Sequence, residues 1–201
     1  MNNIFLTSNG FNNFGHRSQE IEQLFTDLAN GKTVLLIGNA AKISNFASRE
    51  TVKQNFLNVG ATKVDLLDLD ESNLDRVFDY DILYCLGGDI GELITLVNST
   101  DFKEKLIKYL ETGIYIGESA GSMILDSDLE WCYEIKRGTK PKYDIILPTY
   151  KGLGFIDEHI MPHYDTLTPE LIAKMQKYQI RTINDGEFIP LDFNNNLANK
   201  I

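Results

Sequence analysis

Ile114-Tyr115-Ile116-Gly117-Glu118-Ser119-Ala120-Gly121 joins a short apolar run to a turn built from small residues. Three bulky apolar residues in succession suit a strand covered on both faces. Glycines on either side of Ser119 suit a chain that must bend sharply, since they accept backbone angles closed to other residues. The same grammar stands upstream, where Asp81-Ile82-Leu83-Tyr84-Cys85-Leu86 runs into Gly87-Gly88-Asp89. Two buried strands ending in glycine turns, each followed by a helical period, predict a mostly parallel sheet with right-handed crossovers.

The flanking sequence keeps this rhythm. Ile4 to Ser8 reads as a first strand, and Ser18 to Ala29 as a helix with Ile21, Leu24, Phe25 and Leu28 on one face. Ser18 is the expected N-cap and Gly31 the stop. Thr33 to Ile37 reads as a strand, Phe46 to Val59 as a helix, Lys63 to Leu69 as a strand and Ser72 to Phe78 as a short helix. Helical periods follow from Ile90 to Val97 and from Phe102 to Leu110. Past residue 125 the alternation weakens. Strands are expected at Leu129 to Ile135, Ile145 to Leu147 and Ile156 to Met161, and a helix from Pro169 to Tyr178 with Pro169 in its first turn. Arg181 to Phe193 reads as a terminal pair of strands turning at Asp185-Gly186. The expected architecture is three-layer α/β: a doubly wound, mostly parallel sheet with helices on both faces, in one domain over residues 1–201.

Composition narrows the function classes. The 29 acidic residues outnumber 19 basic ones, for a net charge of -10, which argues against a nucleic-acid partner because phosphate binding draws on clustered Lys and Arg. No run approaches the roughly 18–20 apolar residues of a membrane span. The N-terminus lacks the pattern of a signal peptide, so the cytoplasm is the expected compartment. Cys85 and Cys132 are too few for a tetrahedral metal site, and Cys85, inside an apolar run, reads as a small core residue.

Ligands of doubly wound sheets bind where strand carboxyl ends open into a crevice. Gly87-Gly88-Asp89, the turn at Ser119, and His163 all fall at such ends. Gly-x-Ser-x-Gly between a buried strand and a helix is the pattern that lifts a serine hydroxyl out of a strained turn, although a tight turn without chemistry would use the same residues. A serine needs a base. His16 lies in a polar loop, whereas His163, beside Pro162 at a strand end, is the favoured base and His159, on the same strand, the runner-up. A third group must orient the imidazole. Asp185, Glu134, Glu187 and Asp165 are all candidates, and Asp185 is equally well read as hairpin chemistry. The amides of Gly87-Gly88-Asp89 are free to bind an oxyanion, with Asp89 serving at the same time as a helix N-cap.

These motifs resemble the dipeptidase E and cyanophycinase family of serine peptidases. The resemblance rests on Gly87-Gly88-Asp89, Gly117-Glu118-Ser119-Ala120-Gly121, Met161-Pro162-His163-Tyr164 and Asn184-Asp185-Gly186-Glu187-Phe188-Ile189, and spans nearly the whole chain. It implies a class I glutamine amidotransferase-like fold with serine in place of cysteine at the turn. It implies Ser119 as nucleophile, His163 as base, and Asp185 where dipeptidase E carries a glutamate. Gly88 and the amide of Ala120 match its oxyanion hole, and Glu134 falls near a further acidic residue of that family. The order Ser, His, Asp differs from the Ser, Asp, His order of α/β-hydrolases. Dipeptidase E reads its substrate aspartate with an arginine beyond the histidine, and Tyr164 to Lys174 holds none. Lys174 or Lys177 in that role would lack the bidentate fork. The expected partners are a small peptide substrate and, as an open option, a second copy of the chain in a homodimer; the scheme needs no metal or organic cofactor. An esterase with the same residues, and a non-catalytic binding member of the fold, are the alternative readings.

Overall fold

The strands owe their places to burial on both sides. Along β4 (Ile82–Cys85), Ile82 and Tyr84 enter one apolar layer and Leu83 and Cys85 the other. The same split divides Phe5 from Ile4 and Leu6 in β1 (Ile4–Thr7), and Val34 and Leu36 from Leu35 and Ile37 in β2 (Thr33–Ile37). In β5 (Ile114–Glu118) it divides Ile116 from Tyr115. A sheet apolar on both faces must be covered twice.

In the computed structural model, which describes residues 3–11, 18–41, 46–70 and 73–193, it is. On one face, α1 (Gln19–Ala29) and α2 (Phe46–Asn58) bring Ile21, Phe25, Val52 and Phe56 onto the strands. There Phe11, Phe25, Phe56 and Tyr84 interlock, with ring centroids between 4.5 and 6.1 Å apart. On the other face lie α3 (Ile90–Ser99), α4 (Phe102–Tyr109), α5 (Ala120–Met123) and α6 (Glu130–Lys136).

The sheet order is β3 (Lys63–Leu67), β2, β4, β5, β1, β8 (Phe188–Leu191), parallel except for β8, which runs antiparallel to β1. The expected fold is the one observed. β4, β5 and β1 are neighbours, so their carboxyl ends open side by side. A second, two-stranded parallel sheet joins β6 (His159–Pro162) to β7 (Ile180–Ile183) across α7 (Pro169–Met175). Ser18 caps α1 by accepting from the Ile21 amide, and Thr168 caps α7 ahead of Pro169. Among the described residues no helix is long and apolar enough to cross a membrane.

Several expected elements differ. Leu129 to Ile135 is not extended: Leu129 is the N-cap of α6, which buries Trp131, Cys132, Tyr133 and Ile135 and leaves only Glu130 and Glu134, one turn apart, as a narrow exposed stripe. Ile145 to Leu147 is an irregular loop with Ile146 83% exposed, so its apolar run marks no core strand. The short helix expected at Ser72 to Phe78 is a 3-10 helix over Leu74–Asp79, and Ser72 lies outside the described residues. The strand expected from Ile156 begins only at His159. β7 and β8 do not form a hairpin. β7 pairs with β6 and β8 with β1, so the Asp185-Gly186 turn hands the chain from one sheet to the other.

Candidate active site

Ser119 stands at the junction of β5 and α5 with φ 50° and ψ -109°, angles that a residue with a Cβ adopts only under strain. Its surroundings hold it there. The Ser119 amide donates to the Thr7 carbonyl at 3.0 Å, and its carbonyl accepts from the Ser122 and Met123 amides. Beneath the turn, Ser122 Oγ lies 2.8 Å from the carbonyls of both Thr7 and Gly117 and accepts from the Thr7 amide, tying β1 to β5. The turn has no room for larger neighbours. A Cβ on Gly117 would stand 2.5 Å from the Gly121 carbonyl oxygen, and one on Gly121 would stand 2.1 Å from that of Cys85. The small residues around Ser119 are thus a packing requirement.

This geometry makes a stability prediction. Ser119→Gly and Ser119→Ala both delete the hydroxyl, but only glycine enters this backbone region without strain. Ser119→Gly is expected to be the more stable of the two by about 1 kcal/mol, the strain of roughly 1–3 kcal/mol less glycine's greater unfolded-state entropy. Urea unfolding of both variants measures it. An alanine variant as stable as the glycine one would show the turn to be relaxed.

β6 ends at Pro162, and His163 follows with φ 57°; Ser119 and His163 are the non-glycine residues with positive φ among the described residues. That left-handed residue turns the imidazole toward the carboxyl ends of the main sheet. His163 Nε2 lies 3.0 Å from Ser119 Oγ, and His163 Nδ1 lies 2.7 Å from Asp185 Oδ1. The ring keeps solvent contact, with 37% of its side chain exposed, whereas the Asp185 side chain is 7% exposed. A carboxylate on Nδ1 fixes the hydrogen there and leaves the Nε2 lone pair facing the serine. The other acids of this corner shape the Asp185 turn instead. Asp165 Oδ1 accepts from the Asp185 amide, and Glu187 accepts from both the Asn184 amide and its side chain.

Gly87 sits directly against Ser119, so close that a Cβ on it would lie 2.9 Å from Ser119 Cβ. Gly88 follows with φ 139°. Among the described residues, neither its amide nor that of Ala120 donates to the backbone. Asp89 caps α3, accepting from the Gly91 and Glu92 amides at 2.8 and 3.2 Å. Glu118, which precedes the serine, is 5% exposed and accepts from Tyr84 Oη at 2.6 Å, while Tyr84 Oη accepts from the Phe11 amide. Burial, then the Glu118 carboxylate, hold the Tyr84 phenol well above its ordinary pKa. This pair anchors the chain after β1 to the strand that carries Ser119.

Two candidates fall elsewhere. Glu134, one of the acids weighed for orienting the imidazole, pairs instead with Lys177 at 3.0 Å and accepts from Tyr178 Oη, two residues just past α7. His159, at the other end of β6, is held by the fully buried Asp126 at 2.8 Å and stacks on Trp131, whose indole donates to the same carboxylate. It is a satisfied residue of the fold. His16 lies outside the described residues. Cys85 is buried in the core, its thiol pushed up to about 12 by burial. Among the described residues no cluster of three or more His, Cys, Asp or Glu is placed to hold a metal.

No sequence motif marks Ser8. It lies in the site, fully buried, with Oγ 2.6 Å from Asp185 Oδ1, 3.1 Å from His163 Nδ1 and 2.8 Å from the His163 amide. Its one available signal was position. Ser8 follows β1 just as Ser119 follows β5, and those strands lie side by side with Thr7 opposite Glu118.

The model of peptidase family S51 matches residues 4–196. A solved structure of a candidate peptidase E protein from Listeria monocytogenes EGD-e superimposes with a TM-score of 0.73 and 25% identity, covering 95% of this chain and 94% of that one. A peptidase from an acI-B1 Actinobacterium aligns with a TM-score of 0.66 and 19% identity over 94% of this chain and 82% of that one. No curated protein matches the chain.

Proposed function

Because the chain belongs to peptidase family S51 and is a serine peptidase, we propose that it hydrolyses small peptides through an acyl-enzyme on Ser119, with His163 as base and Asp185 as the group that orients it. The observation carrying this reading is the unbroken run of contacts from Ser119 Oγ to His163 Nε2 at 3.0 Å and from His163 Nδ1 to Asp185 Oδ1 at 2.7 Å. Ser119 Oγ attacks the scissile carbonyl while His163 Nε2 takes its proton. The negative charge that develops on the carbonyl oxygen meets the amides of Gly88 and Ala120. Removing one such donor typically costs roughly 2.7–4 kcal/mol of barrier. His163 then protonates the leaving amine, and a water activated by the same imidazole releases the acyl group and restores the serine.

The substrate range follows from charge placement. Lys174 and Lys177 are engaged by Glu170 and Glu134 on the outer surface of α6 and α7. Neither supplies the bidentate fork that would select an aspartate side chain. The reading is therefore a dipeptidase not confined to aspartyl substrates. A panel of dipeptides with acidic, neutral and basic first residues, run beside p-nitrophenyl esters, tests it. Cleavage of neutral dipeptides at rates within tenfold of the Asp-X members is expected. Turnover of esters with every dipeptide left intact would replace the peptidase reading with an esterase on the same residues.

A further inference from the structure

We infer that Ser8 is a positioning residue for His163, acting on both its ring and its backbone; this rests on the proposed roles of Ser119, His163 and Asp185. The Ser8 hydroxyl has one hydrogen and three polar neighbours: Asp185 Oδ1 at 2.6 Å, the His163 amide at 2.8 Å and His163 Nδ1 at 3.1 Å. The amide can only donate. The carboxylate can only accept, and it is the nearest. The hydrogen therefore goes to Asp185, and Oγ is left as an acceptor toward both His163 groups.

Two consequences follow. First, Nδ1 faces two acceptors, the Asp185 carboxylate and a hydroxyl whose hydrogen is committed elsewhere. A hydrogen on Nδ1 is stabilised twice, and the tautomer with hydrogen on Nε2, which could not accept from Ser119, would set a bare Nδ1 against two oxygens. Second, the His163 amide belongs to a residue at φ 57°, a conformation that non-glycine residues leave unless contacts hold them. Ser8 Oγ is such a contact, fully buried and fixed at the end of β1. The same oxygen thus secures the imidazole's tautomer and the backbone bend that aims it. Asn9, the next residue, extends the brace by accepting from the Gly186 amide at 3.0 Å, beside Asp185. The end of β1 thereby holds both partners of Ser119.

The test compares Ser8→Thr with Ser8→Val. These side chains have nearly the same shape, so any packing penalty of the added methyl is shared and only the hydroxyl differs. The probe is a fluorophosphonate, and the readout is the second-order rate of labelling, with Ser119→Ala as the reference. Ser8→Thr is expected to react about 10- to 100-fold faster than Ser8→Val, the usual range for losing a hydrogen bond to a charged group. In parallel, the far-downfield proton NMR signal of an imidazole Nδ1–H bonded to a carboxylate should persist in Ser8→Thr and shift or vanish in Ser8→Val. Equal labelling rates in the two variants, with labelling still abolished in Ser119→Ala, would overturn the role of Ser8 and leave the proposed nucleophile standing. Labelling that survives in Ser119→Ala would overturn that nucleophile, and this inference with it. Should the methyl prevent both variants from folding, the NMR signal in the unaltered protein decides against Ser8→Ala: an identical signal in both would overturn the proposal.

Discussion

Ser119→Ala is expected to lower kcat on any peptide substrate by about 10⁶-fold, the scale at which loss of a serine nucleophile leaves only binding and oxyanion stabilisation. The thermal midpoint should hardly move. The hydroxyl makes one side-chain contact, with a half-exposed imidazole, and such a bond contributes about 1 kcal/mol, or roughly 2–4 °C in a chain of this size. Stopped assays on the purified variant and a thermal melt check the two halves together. Activity within tenfold of the unaltered protein would mean that another group attacks the carbonyl.

The second large effect belongs to Asp185. Asp185→Asn keeps the shape but replaces one acceptor oxygen with an NH2 group, beside a histidine nitrogen that must donate and a Ser8 hydroxyl that must also donate. Both contacts use the same oxygen, Oδ1. An amide that sets its NH2 there opposes hydrogens or forces the imidazole into the tautomer that cannot take the serine proton, and one that keeps its oxygen there lacks the charge that stabilises the imidazolium. A loss of about 10³- to 10⁴-fold in kcat, with little change in KM, is expected from losing the carboxylate's charge and its hold on the Nδ1 hydrogen. A loss below tenfold would make Asp185 a turn residue only, as its Asp-Gly sequence alone suggests.

How far the chain was legible follows from which forces are local. β4 and β5 were readable because burial on both faces writes itself as continuous apolar runs, and the tight turn after β5 demands small residues that stand next to each other in sequence. α6 was hard to read, since Trp131, Cys132, Tyr133 and Ile135 bury a broad apolar face and only Glu130 and Glu134, one turn apart, mark the helical period. Asp185 posed the opposite problem. Its local signal, Asp-Gly between two strands, is that of a hairpin, and only the sheet order shows that the strands on either side pair with different partners. Ser8 carried no local signal beyond its place at the end of a strand. Its significance arises because β1 lies beside β5 and because His163 arrives from a separate sheet, both of them long-range facts. Glu134, weighed among the acids and again by resemblance, stands on the exposed side of α6, where it pairs with Lys177.

The reach of His163 to Ser119 is the physical claim beneath the mechanism: a hydroxyl on a strained turn is reactive only because an imidazole from the second sheet can take its proton. Mapping the site of covalent attachment of a fluorophosphonate by peptide mass spectrometry tests that claim most directly. One adduct is expected, on Ser119, formed rapidly in the unaltered protein and at least 10³-fold more slowly when His163 is changed to Ala, in keeping with removal of a catalytic base. An adduct on a different residue, or one on Ser119 that forms as fast without the imidazole, would contradict it.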